Sequence, residues 1–384
     1  MKIAFINTNR EPYPLPPNII NGGLWITGKI IENLSKNKEF DITFFTANDS
    51  VIPKTIKMKS LGLPSFYKMI GNRDVAPSEN AIAIFYEQLL IKKMIKQSNQ
   101  RLFDCIHIHN NFFIISNFLS YISIPIVYTL HDPITPYHEL FFKSNSLKLF
   151  YPIAISKYQR KIAEKMNIPI YETIYNGVDI ENFEFNERGG DNLIFIGRII
   201  KKKGVEEAIK TSLLTNYPLN IVGSIREYDK DNIASFISKI NNKNIKIIKT
   251  ASRTEAIKYY STSKITLAPI LWEEPFGLIT VESMAAGTPV VGYARGALPE
   301  IIEDGETGFI VNPSNDDIRG DFIIKKTGIE GLCEAVERIY SMPEEQYRKM
   351  RKACREHVEK NFTVEKMVDE YEKIYKEILN KKTS

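Results

Sequence analysis

Short apolar runs separated by amphipathic stretches recur along the whole chain, and this alternation predicts strands followed by helices. In the first half, the apolar runs stand at 2–7, 41–46, 105–109, 124–130, 151–155 and 171–175. Runs of this kind are typical of strands that are buried on both faces of a parallel sheet. An amphipathic helix is predicted through Trp25, Ile30 and Leu34, and a second one over 80–97. Residues 52–78 show neither pattern and are predicted to be irregular.

The pattern restarts after residues 186–191, a polar stretch with two glycines that we interpret as a linker. Further strands are predicted at 192–197, 219–222, 244–248, 265–270, 289–293 and 307–311, with helices over most of 328–379. A chain of 384 residues is too long for one simple core. We therefore predict an α/β protein with domains at 1–186 and 187–362 and a final helical segment at 363–384. Alternating strands and helices imply parallel sheets with right-handed crossovers.

Residues 272–291 form the most informative stretch, an acidic turn and a helical segment between two predicted strands. If the helix begins near Phe276, Glu274 lies just before its N-terminus and Glu282 lies in its second turn. The unpaired backbone N–H groups of the first turn bind anions, and Gly277 allows a ligand to approach closely. Carboxylates suit sugar hydroxyls because they only accept hydrogen bonds. The alternative is that Glu274 merely favours the helix dipole and that Glu282 is a solvated helix residue.

Two other strand-to-helix turns carry candidate ligand groups. The turn Gly197–Gly204 contains Arg198 and three lysines. Its basic groups would clamp a diphosphate and supply the charge that a metal supplies elsewhere, although a solvated basic turn has the same composition. Near the N-terminus, Asn21-Gly22-Gly23 precedes a helix, at the place where α/β domains bind phosphates. A plain turn is the alternative there.

Histidines supply the remaining candidate chemistry. His131 follows the strand at 124–130, where ligand-binding loops of open sheets begin. Its imidazole is suited to donate a hydrogen bond to a sugar or carbonyl oxygen, or to transfer a proton, and a structural hydrogen-bonding histidine is the alternative. His107 and His109 share one face of a strand, but no third metal ligand matches them, so packing is the better interpretation. Asp229-Lys-Asp231 matches a metal-binding pattern, but it precedes a predicted helix, and helix capping explains the aspartates, so we discount a metal site there.

Composition limits the partners of the protein. The net charge of +5 is too small for nucleic acid but suits a phosphorylated ligand or an anionic membrane surface. In the helix at 80–97, three lysines follow the apolar residues Leu89, Leu90 and Ile91; they are Lys92, Lys93 and Lys96. This sequence is compatible with a membrane-facing amphipathic surface, but an ordinary half-buried helix is the better interpretation.

The cysteines and the N-terminus predict the compartment. Three scattered cysteines indicate a reducing environment and no metal site. The chain opens with a strand rather than a signal peptide, and no apolar run has the length of a bilayer span. We predict a cytoplasmic protein, with peripheral contact to the inner face of the membrane as an open alternative.

Considered together, these motifs resemble retaining glycosyltransferase family 4, which has the GT-B fold. The stretch from Glu274 to Glu282 matches the E-x7-E signature of that family, and Ala285-Ala-Gly-Thr-Pro-Val290 follows it. Further matches stand at family-like intervals: Asn21-Gly22-Gly23, Thr129-Leu-His131-Asp132, Asn176-Gly-Val-Asp179, Gly197-Arg198 with Lys203-Gly204, and Gly296-Ala-Leu-Pro-Glu300 before Gly305 and Thr307-Gly308. The resemblance covers nearly the whole chain.

The resemblance implies two Rossmann-like domains that face a central cleft, with a nucleotide-sugar held mainly by the C-terminal domain. It implies that Arg198 and Lys203 bind the diphosphate and that Glu282 binds the ribose hydroxyls. Glu274 would bind the donor sugar. The other donor-binding positions it implies are backbone groups of Phe276, Gly277 and Leu278, with Gly22 and Gly23 at the phosphates and His131 at the sugar. The final helix would pack back across the domain junction.

By this resemblance, the expected activity is metal-independent transfer of a hexose-type sugar, with retention, from a nucleotide-diphosphate sugar to a saccharide or lipid-linked acceptor. Glu274, His131, Arg198 and Lys203 are the expected catalytic residues, and no cofactor is expected beyond the co-substrate. The same architecture also hosts epimerases and phosphorylases. A catalytically inactive sugar-binding module is a further alternative, against which the intact pair Glu274 and Glu282 argues.

Overall fold

A computed structural model describes residues 1–17, 19, 21–73, 75–144, 149–223, 243–249 and 253–380. The chain divides into two compact units. The first unit comprises Met1–Gly177 and Val364–Ser384, and the second comprises Val178–Thr363. The N-terminal segment of the first unit thus ends nine residues before the boundary that the sequence predicted at 186. The Asp229-Lys-Asp231 pattern lies outside the described residues.

The first unit is built on a parallel sheet of seven strands. The strands are β1 (Lys2–Ile6), β2 (Asp41–Phe45), β3 (Lys57–Lys59), β4 (Cys105–Ile108), β5 (Ile126–Leu130), β6 (Phe150–Ala154) and β7 (Glu172–Thr173). Their spatial order is β3-β2-β1-β4-β5-β6-β7, and every described pair is parallel. The central strands are buried along nearly their whole length, as their apolar runs predicted.

Helices connect these strands. They are α1 (Gly22–Leu34), α2 (Phe66–Met69), α3 (Asn80–Ser98), α4 (Phe112–Ile115), α5 (Pro136–Ser144) and α6 (Lys157–Lys165), with short 3-10 helices at Pro77–Glu79 and Ser116–Tyr121. The prediction of an irregular segment over 52–78 is wrong in part, because β3 and α2 lie within it. Strand β3 has the sequence Lys-Met-Lys and is exposed at the sheet edge, so it carries no apolar pattern.

The second unit has a six-stranded parallel sheet. Its strands are β8 (Leu193–Ile196), β9 (Leu219–Gly223), β10 (Ile245–Lys249), β11 (Ile265–Ala268), β12 (Val290–Tyr293) and β13 (Gly308–Val311). They lie in the order β10-β9-β8-β11-β12-β13. The helices are α7 (Val205–Thr215), α8 (Arg253–Ser261), α9 (Leu278–Ala285), α10 (Leu298–Ile301), α11 (Gly328–Tyr340) and α12 (Glu344–Asn361), with 3-10 helices at Ile180–Asn182 and Lys201–Lys203. All six predicted strands are confirmed.

The stretch predicted as a linker, 186–191, lies within the second unit and packs against its other elements. Arg351 of α12 is fully buried, and its guanidinium donates to the carbonyl oxygens of Asn186 at 2.6 Å and Ser263 at 3.0 Å. A β-carbon on Gly190 would lie 1.9 Å from the Thr262 carbonyl oxygen. The glycine in this stretch therefore serves a close backbone approach, which sequence alone does not distinguish from a flexible linker.

The final helix, α13 (Val364–Asn380), belongs to the first unit and packs against α1. Two of its buried tyrosines end in a polar network at β4 and β5. Tyr375 Oη lies 2.7 Å from His107 Nδ1, and Tyr371 Oη lies 2.8 Å from Thr129 Oγ1. The Thr129 hydroxyl also lies 2.8 Å from His107 Nε2, so both ring nitrogens of His107 are paired. The final helix is thus anchored to the first sheet by hydrogen bonds to the buried His107 and to Thr129.

Replacing Tyr375 by phenylalanine is expected to lower the free energy of unfolding by about 1 to 3 kcal/mol, because a buried nitrogen of His107 loses its partner. Urea unfolding measures the effect. Tyr137→Phe is the control: this ring is 70% exposed, so loss of its hydroxyl is expected to change stability by less than about 0.5 kcal/mol. Equal stabilities of the two variants would contradict the role given to Tyr375.

Candidate functional site

The second sheet reverses its strand order between β8 and β11. These strands are neighbours, although β9 and β10 separate them in the sequence. At such a switch point a parallel sheet opens a crevice at the carboxyl ends of its strands, where ligands bind. The loop after β8 reaches Gly204, and the loop after β11 runs over 269–277. Both loops predicted to bind a ligand therefore leave the sheet side by side.

Lys203 and Glu274 meet at this edge. Lys203 Nζ lies 2.5 Å from Glu274 Oε2, and both side chains are largely buried. The indole N–H of Trp272 donates to the same carboxylate oxygen at 2.8 Å, and the Lys203 ammonium lies 5.1 Å from the centroid of the indole ring. The structure thus joins two of the predicted residues and adds Trp272, which we missed. It is one of only two tryptophans and stands two residues before Glu274, a signal that could have found it.

A close approach of the two loops determines where Lys203 lies. Gly204 has a φ of +80°, and a β-carbon there would lie 1.8 Å from the Pro269 carbonyl oxygen. Leu271 N–H donates to the Lys202 carbonyl oxygen at 3.0 Å. The lysine beside Gly204 is therefore directed to the crevice, while the side chain of Lys202 is exposed. Arg198 is half-buried on the same loop, directly after Gly197.

The residue next to Glu274 has a different task. Glu273 accepts hydrogen bonds from Arg295 at 3.1 Å, from Arg319 at 2.9 Å and from the backbone N–H of Gly296 at 2.8 Å. Asp317 pairs with both arginines and completes a network of four charged side chains. This network, also missed from the sequence, ties the acidic turn to the loops that follow β12 and β13. Glu273 is thus engaged by arginines, whereas Glu274 pairs with Lys203.

Helix α9 begins at Leu278, two residues later than predicted. Gly277 caps it with a φ of +98°, in the left-handed region that favours glycine. The ring of Phe276 is buried and packs edge-on against Phe362 at 6.0 Å between centroids. The Phe276 side chain therefore belongs to the core, and only backbone groups at this position are suited to a ligand. The helix ends at Ala285, and Gly287 follows with a φ of +82°.

Glu282 lies in the second turn of α9, as predicted. Only 5% of the residue is exposed, so the alternative of a solvated helix residue is wrong. The hydroxyl of Tyr260, at the end of α8, donates to Glu282 Oε2 at 3.3 Å. A carboxylate buried at this depth requires polar partners. Tyr260 is a further site residue that sequence reasoning missed, because nothing in the chain pattern connects α8 with α9.

In the first unit, the predicted residues Gly23 and His131 are neighbours. Asn21 caps α1 by accepting a hydrogen bond from Leu24 N–H at 3.0 Å, and Gly22 begins the helix. A β-carbon on Gly23 would lie 3.4 Å from Cγ and Cδ2 of the His131 ring. The start of α1 therefore lies beside the imidazole, and phosphate binding by the glycine pair stays a prediction.

His131 also belongs to a row of three histidines. Its Nε2 lies 2.8 Å from His109 Nδ1, and the rings of His109 and His107 lie 4.0 Å apart between centroids. Burial lowers the pKa of His131 to about 4 and holds the pKa values of the other two well below the ordinary value. All three imidazoles are therefore neutral near pH 7. The structural hydrogen-bonding role that we weighed for His131 is present through one of its nitrogens.

Stability of the first unit is expected to fall as the pH is lowered from 7 to 5. An unfolded His131 takes up a proton near its ordinary pKa of 6.5, whereas the folded residue resists protonation down to about pH 4. The unfolded state therefore binds more protons in this window, and His131 alone costs about 2 kcal/mol between pH 7 and pH 5. Chemical unfolding at both pH values measures this for wild type and His131→Asn. An identical loss in the two proteins would contradict the low pKa.

The comparisons with known proteins assign the family. A family model for glycosyl transferases group 1 matches residues 179–357, and a model for glycosyltransferase family 4 matches residues 63–182. Together the two models account for the chain from residue 63 to residue 357. The chain belongs to the family 4, group 1 glycosyltransferases.

Relatives of this glycosyltransferase match it over different lengths. An uncharacterised 41.2 kDa protein in the cps region of Klebsiella pneumoniae is 26% identical over 93% of this chain and 97% of its own length. The capsular polysaccharide biosynthesis glycosyltransferase CapM of Staphylococcus aureus is 26% identical over 53% of each chain. The solved structure of Anabaena Alr3699/HepE with UDP-glucose has a TM-score of 0.70, at 14% identity, over 98% of this chain and 100% of the other. This likeness confirms the predicted GT-B fold of two Rossmann-like domains.

The predictions about metal ions and membrane spans can be compared only with the described residues of this glycosyltransferase. Within the described ranges, no three His, Cys, Asp or Glu side chains group together as metal ligands do. That the enzyme is active without a metal ion or a cofactor stays a prediction. None of the helices described here is both long and apolar enough to cross a membrane.

Proposed function

We propose that this glycosyltransferase moves a hexose-type sugar from a nucleotide-diphosphate sugar to a saccharide or lipid-linked acceptor. The observation that carries the proposal is the contact between Lys203 and Glu274 at the switch point of the second sheet. A nucleotide-sugar consists of a diphosphate part and a sugar part. The Lys203 cation and the helix N-terminus at Gly277 suit the diphosphate, and the Glu274 carboxylate suits the sugar. Diphosphate oxygens accept from the cation and the helix N–H groups, and sugar hydroxyls donate to the carboxylate.

Donor binding would replace the contact between Lys203 and Glu274 by contacts of each residue with the donor. The diphosphate competes with Glu274 for the Lys203 ammonium, and the released carboxylate then accepts hydrogen bonds from sugar hydroxyls. The Trp272 N–H remains on the same carboxylate and limits its rotation. Arg198 supplies the second positive charge, and Glu282 binds the ribose hydroxyls. Contacts of Gly22, Gly23 and His131 with the donor stay predictions from the resemblance.

The proposed reaction retains the configuration at the anomeric carbon. The bond from this carbon to the diphosphate oxygen breaks, and its electron pair stays on the diphosphate. The acceptor hydroxyl oxygen forms the new bond on the same side, and its proton passes to the leaving diphosphate oxygen. Arg198 and Lys203 stabilise the negative charge that develops, which is the main electrostatic task of the reaction. No enzyme nucleophile and no metal ion are required.

The proposal is tested by incubating the protein with UDP-glucose and other nucleotide-sugars, with and without a pool of saccharide and lipid-linked acceptors. We expect release of the nucleoside diphosphate to depend on an acceptor, to resist EDTA, and to give a product of unchanged anomeric configuration by NMR. Epimerisation of the donor without acceptor would instead assign an isomerase. Donor binding without turnover across many acceptors would indicate an inactive binding module.

We further propose that the protein is cytoplasmic and contacts an anionic membrane through α3. One exposed stripe of this helix carries apolar residues at its start and basic residues at its end: Ile82, Phe85, Leu89, Lys92 and Lys96. Ile82 and Phe85 are each 59% exposed. The stripe differs from the predicted one, since Leu90 and Ile91 are buried and Lys93 donates to the Ser60 carbonyl oxygen. Apolar insertion beside lysines is the usual basis of interfacial binding.

Flotation with vesicles tests this contact. Wild type should bind vesicles that contain anionic lipid and should not bind neutral ones. Phe85→Ser and the pair Lys92→Glu with Lys96→Glu should each weaken binding, because they remove the apolar and the electrostatic part separately. No binding of wild type to anionic vesicles would refute the proposal.

A further inference from the structure

His109 and His131 form a bond that sequence reasoning did not expect. His109 directly follows β4 and His131 directly follows β5, and these strands are neighbours in the first sheet. His109 Nδ1 lies 2.8 Å from His131 Nε2, and the two rings are stacked at 5.1 Å between centroids. One proton lies between the two nitrogens, so one ring donates and the other accepts.

Burial keeps both rings uncharged, because it lowers the pKa of His131 to about 4 and that of His109 well below the ordinary value. A neutral imidazole carries one N–H and one lone pair. Whichever ring donates in the shared bond, the tautomer of the other ring is then determined. The direction of a single hydrogen bond thus decides which nitrogen of His131 carries its proton.

The second nitrogen of His109 decides that direction. His109 Nε2 is buried and has no hydrogen-bond partner among the described residues. If this nitrogen carried the proton, a buried N–H would remain unpaired, which is rarer in folded proteins than an unpaired acceptor. His109 therefore carries its proton on Nδ1 and donates to His131 Nε2. The proton of His131 is then on Nδ1.

The remaining edge of the His131 ring is suited to a ligand. The Cγ–Cδ2 edge lies against Gly23, and Nε2 is held by His109. His131 Nδ1 has no hydrogen-bond partner in the described parts of the chain, and the residue is half-buried rather than enclosed. On its other face, the His109 ring packs against His107, which α13 fixes through Tyr375. The donor of the shared bond is thus itself held in place.

We infer that His109 is a positioning residue that fixes His131 in the Nδ1–H tautomer, so that His131 donates a hydrogen bond to a hydroxyl or carbonyl oxygen of the substrate. A hydrogen-bond donor at this edge recognises an oxygen acceptor and rejects a cationic group. The identity of the substrate as a sugar rests on the proposed function. The tautomer does not, because it follows from contacts within the first unit.

Nitrogen NMR of the full-length protein with 15N-labelled histidine tests the tautomer near pH 7. We expect His131 to show a protonated, pyrrole-type Nδ1 and an unprotonated, pyridine-type Nε2. The opposite pattern would overturn the inference. This result holds whether or not sugar transfer is found, so failure of the proposed function and failure of the inference are distinguishable.

Two variants of similar size test the positioning role in the nucleoside-diphosphate release assay. His109→Leu removes the donor to His131, and kcat/KM is expected to fall about tenfold, the effect of one lost hydrogen bond. His109→Asn keeps an N–H near the position of Nδ1 and should recover most of that loss. An equal fall in both variants, or no fall in either, would overturn the role of His109. Circular dichroism of both variants checks that each remains folded.

Discussion

Replacing Glu274 by glutamine is expected to lower kcat for sugar transfer by a factor of about 10² to 10³, the usual cost of removing one group that acts on the transition state. Glutamine keeps the shape of the side chain but removes its charge. In the wild type, Glu274 Oε2 lies 2.5 Å from Lys203 Nζ and 2.8 Å from Trp272 Nε1. A neutral amide oxygen attracts the ammonium less strongly before the donor binds, and it accepts weaker hydrogen bonds from the sugar afterwards.

A steady-state assay of nucleoside diphosphate release measures this effect. Glu303→Gln is the matched control, because this carboxylate is half-exposed in the same unit and pairs only with His357 among the described residues. We expect Glu303→Gln to stay within about twofold of wild type, since exposed ion pairs contribute little. Equal rates for the two variants would remove Glu274 from the site.

Replacing Gly296 by alanine is expected to reduce activity at least about a hundredfold, as misplacement of a reacting group by an ångström does. Gly296 has a φ of +60°, and its β-carbon would lie 2.1 Å from the Glu274 carbonyl oxygen and 2.4 Å from its backbone nitrogen. No side-chain rotation relieves a contact with backbone. The acidic turn must therefore move, and Glu274 moves with it.

Gly328→Ala separates this contact from the effect of backbone strain alone. Gly328 lies in the same unit with a φ of +58°, and the nearest atom to its β-carbon would be the Pro313 carbonyl oxygen at 3.4 Å. Both variants incur the strain of a left-handed alanine, about 1 to 2 kcal/mol. Only Gly296→Ala should also lose activity. Equal activity of both variants would show that the close approach of Gly296 to Glu274 is not required for activity.

The apolar pattern predicted most of the fold because both sheets are buried and parallel. Strands such as β8 and β12 are apolar along nearly their whole length, so the sequence alone identifies them. Strand β3 was missed for the opposite reason, since an exposed edge strand gains nothing from apolar residues. The start of α9 was placed at Phe276 because the sequence does not show that Gly277 adopts a left-handed φ.

The sequence predicted individual residues of the site but not the contacts between them. Glu274 and Lys203 were selected by resemblance, but their contact joins residues 71 positions apart. That contact depends on the spatial order of β8 and β11, which local patterns do not encode. Adjacent acids illustrate the same limit: Glu273 and Glu274 are chemically identical, and the structure is needed to show that the first one binds Arg295 and Arg319.

The histidines also could be selected from the sequence, whereas their pairings could not. The spacing of His107 and His109 indicated a shared strand face, and packing was preferred to a metal pair. The bond from His109 to His131 joins residues at the ends of neighbouring strands, and one partner of His107 is Tyr375 of α13. Sequence separation of 268 residues places that partner beyond any motif. Such pairings require the assembled sheet.

We propose that Arg198, Lys203 and Glu274 bind the diphosphate and sugar of a nucleotide-sugar. A thermal-shift screen of UDP-glucose and of GDP-, ADP- and dTDP-sugars tests it most directly, in wild type, Arg198→Ala and Lys203→Ala. A donor present at about a hundred times its Kd stabilises the native state by about 2.7 kcal/mol, which raises Tm by several degrees. We predict such a rise for at least one nucleotide-sugar in wild type and its loss in both variants. No rise with any nucleotide-sugar, or an equal rise in all three proteins, would contradict the account.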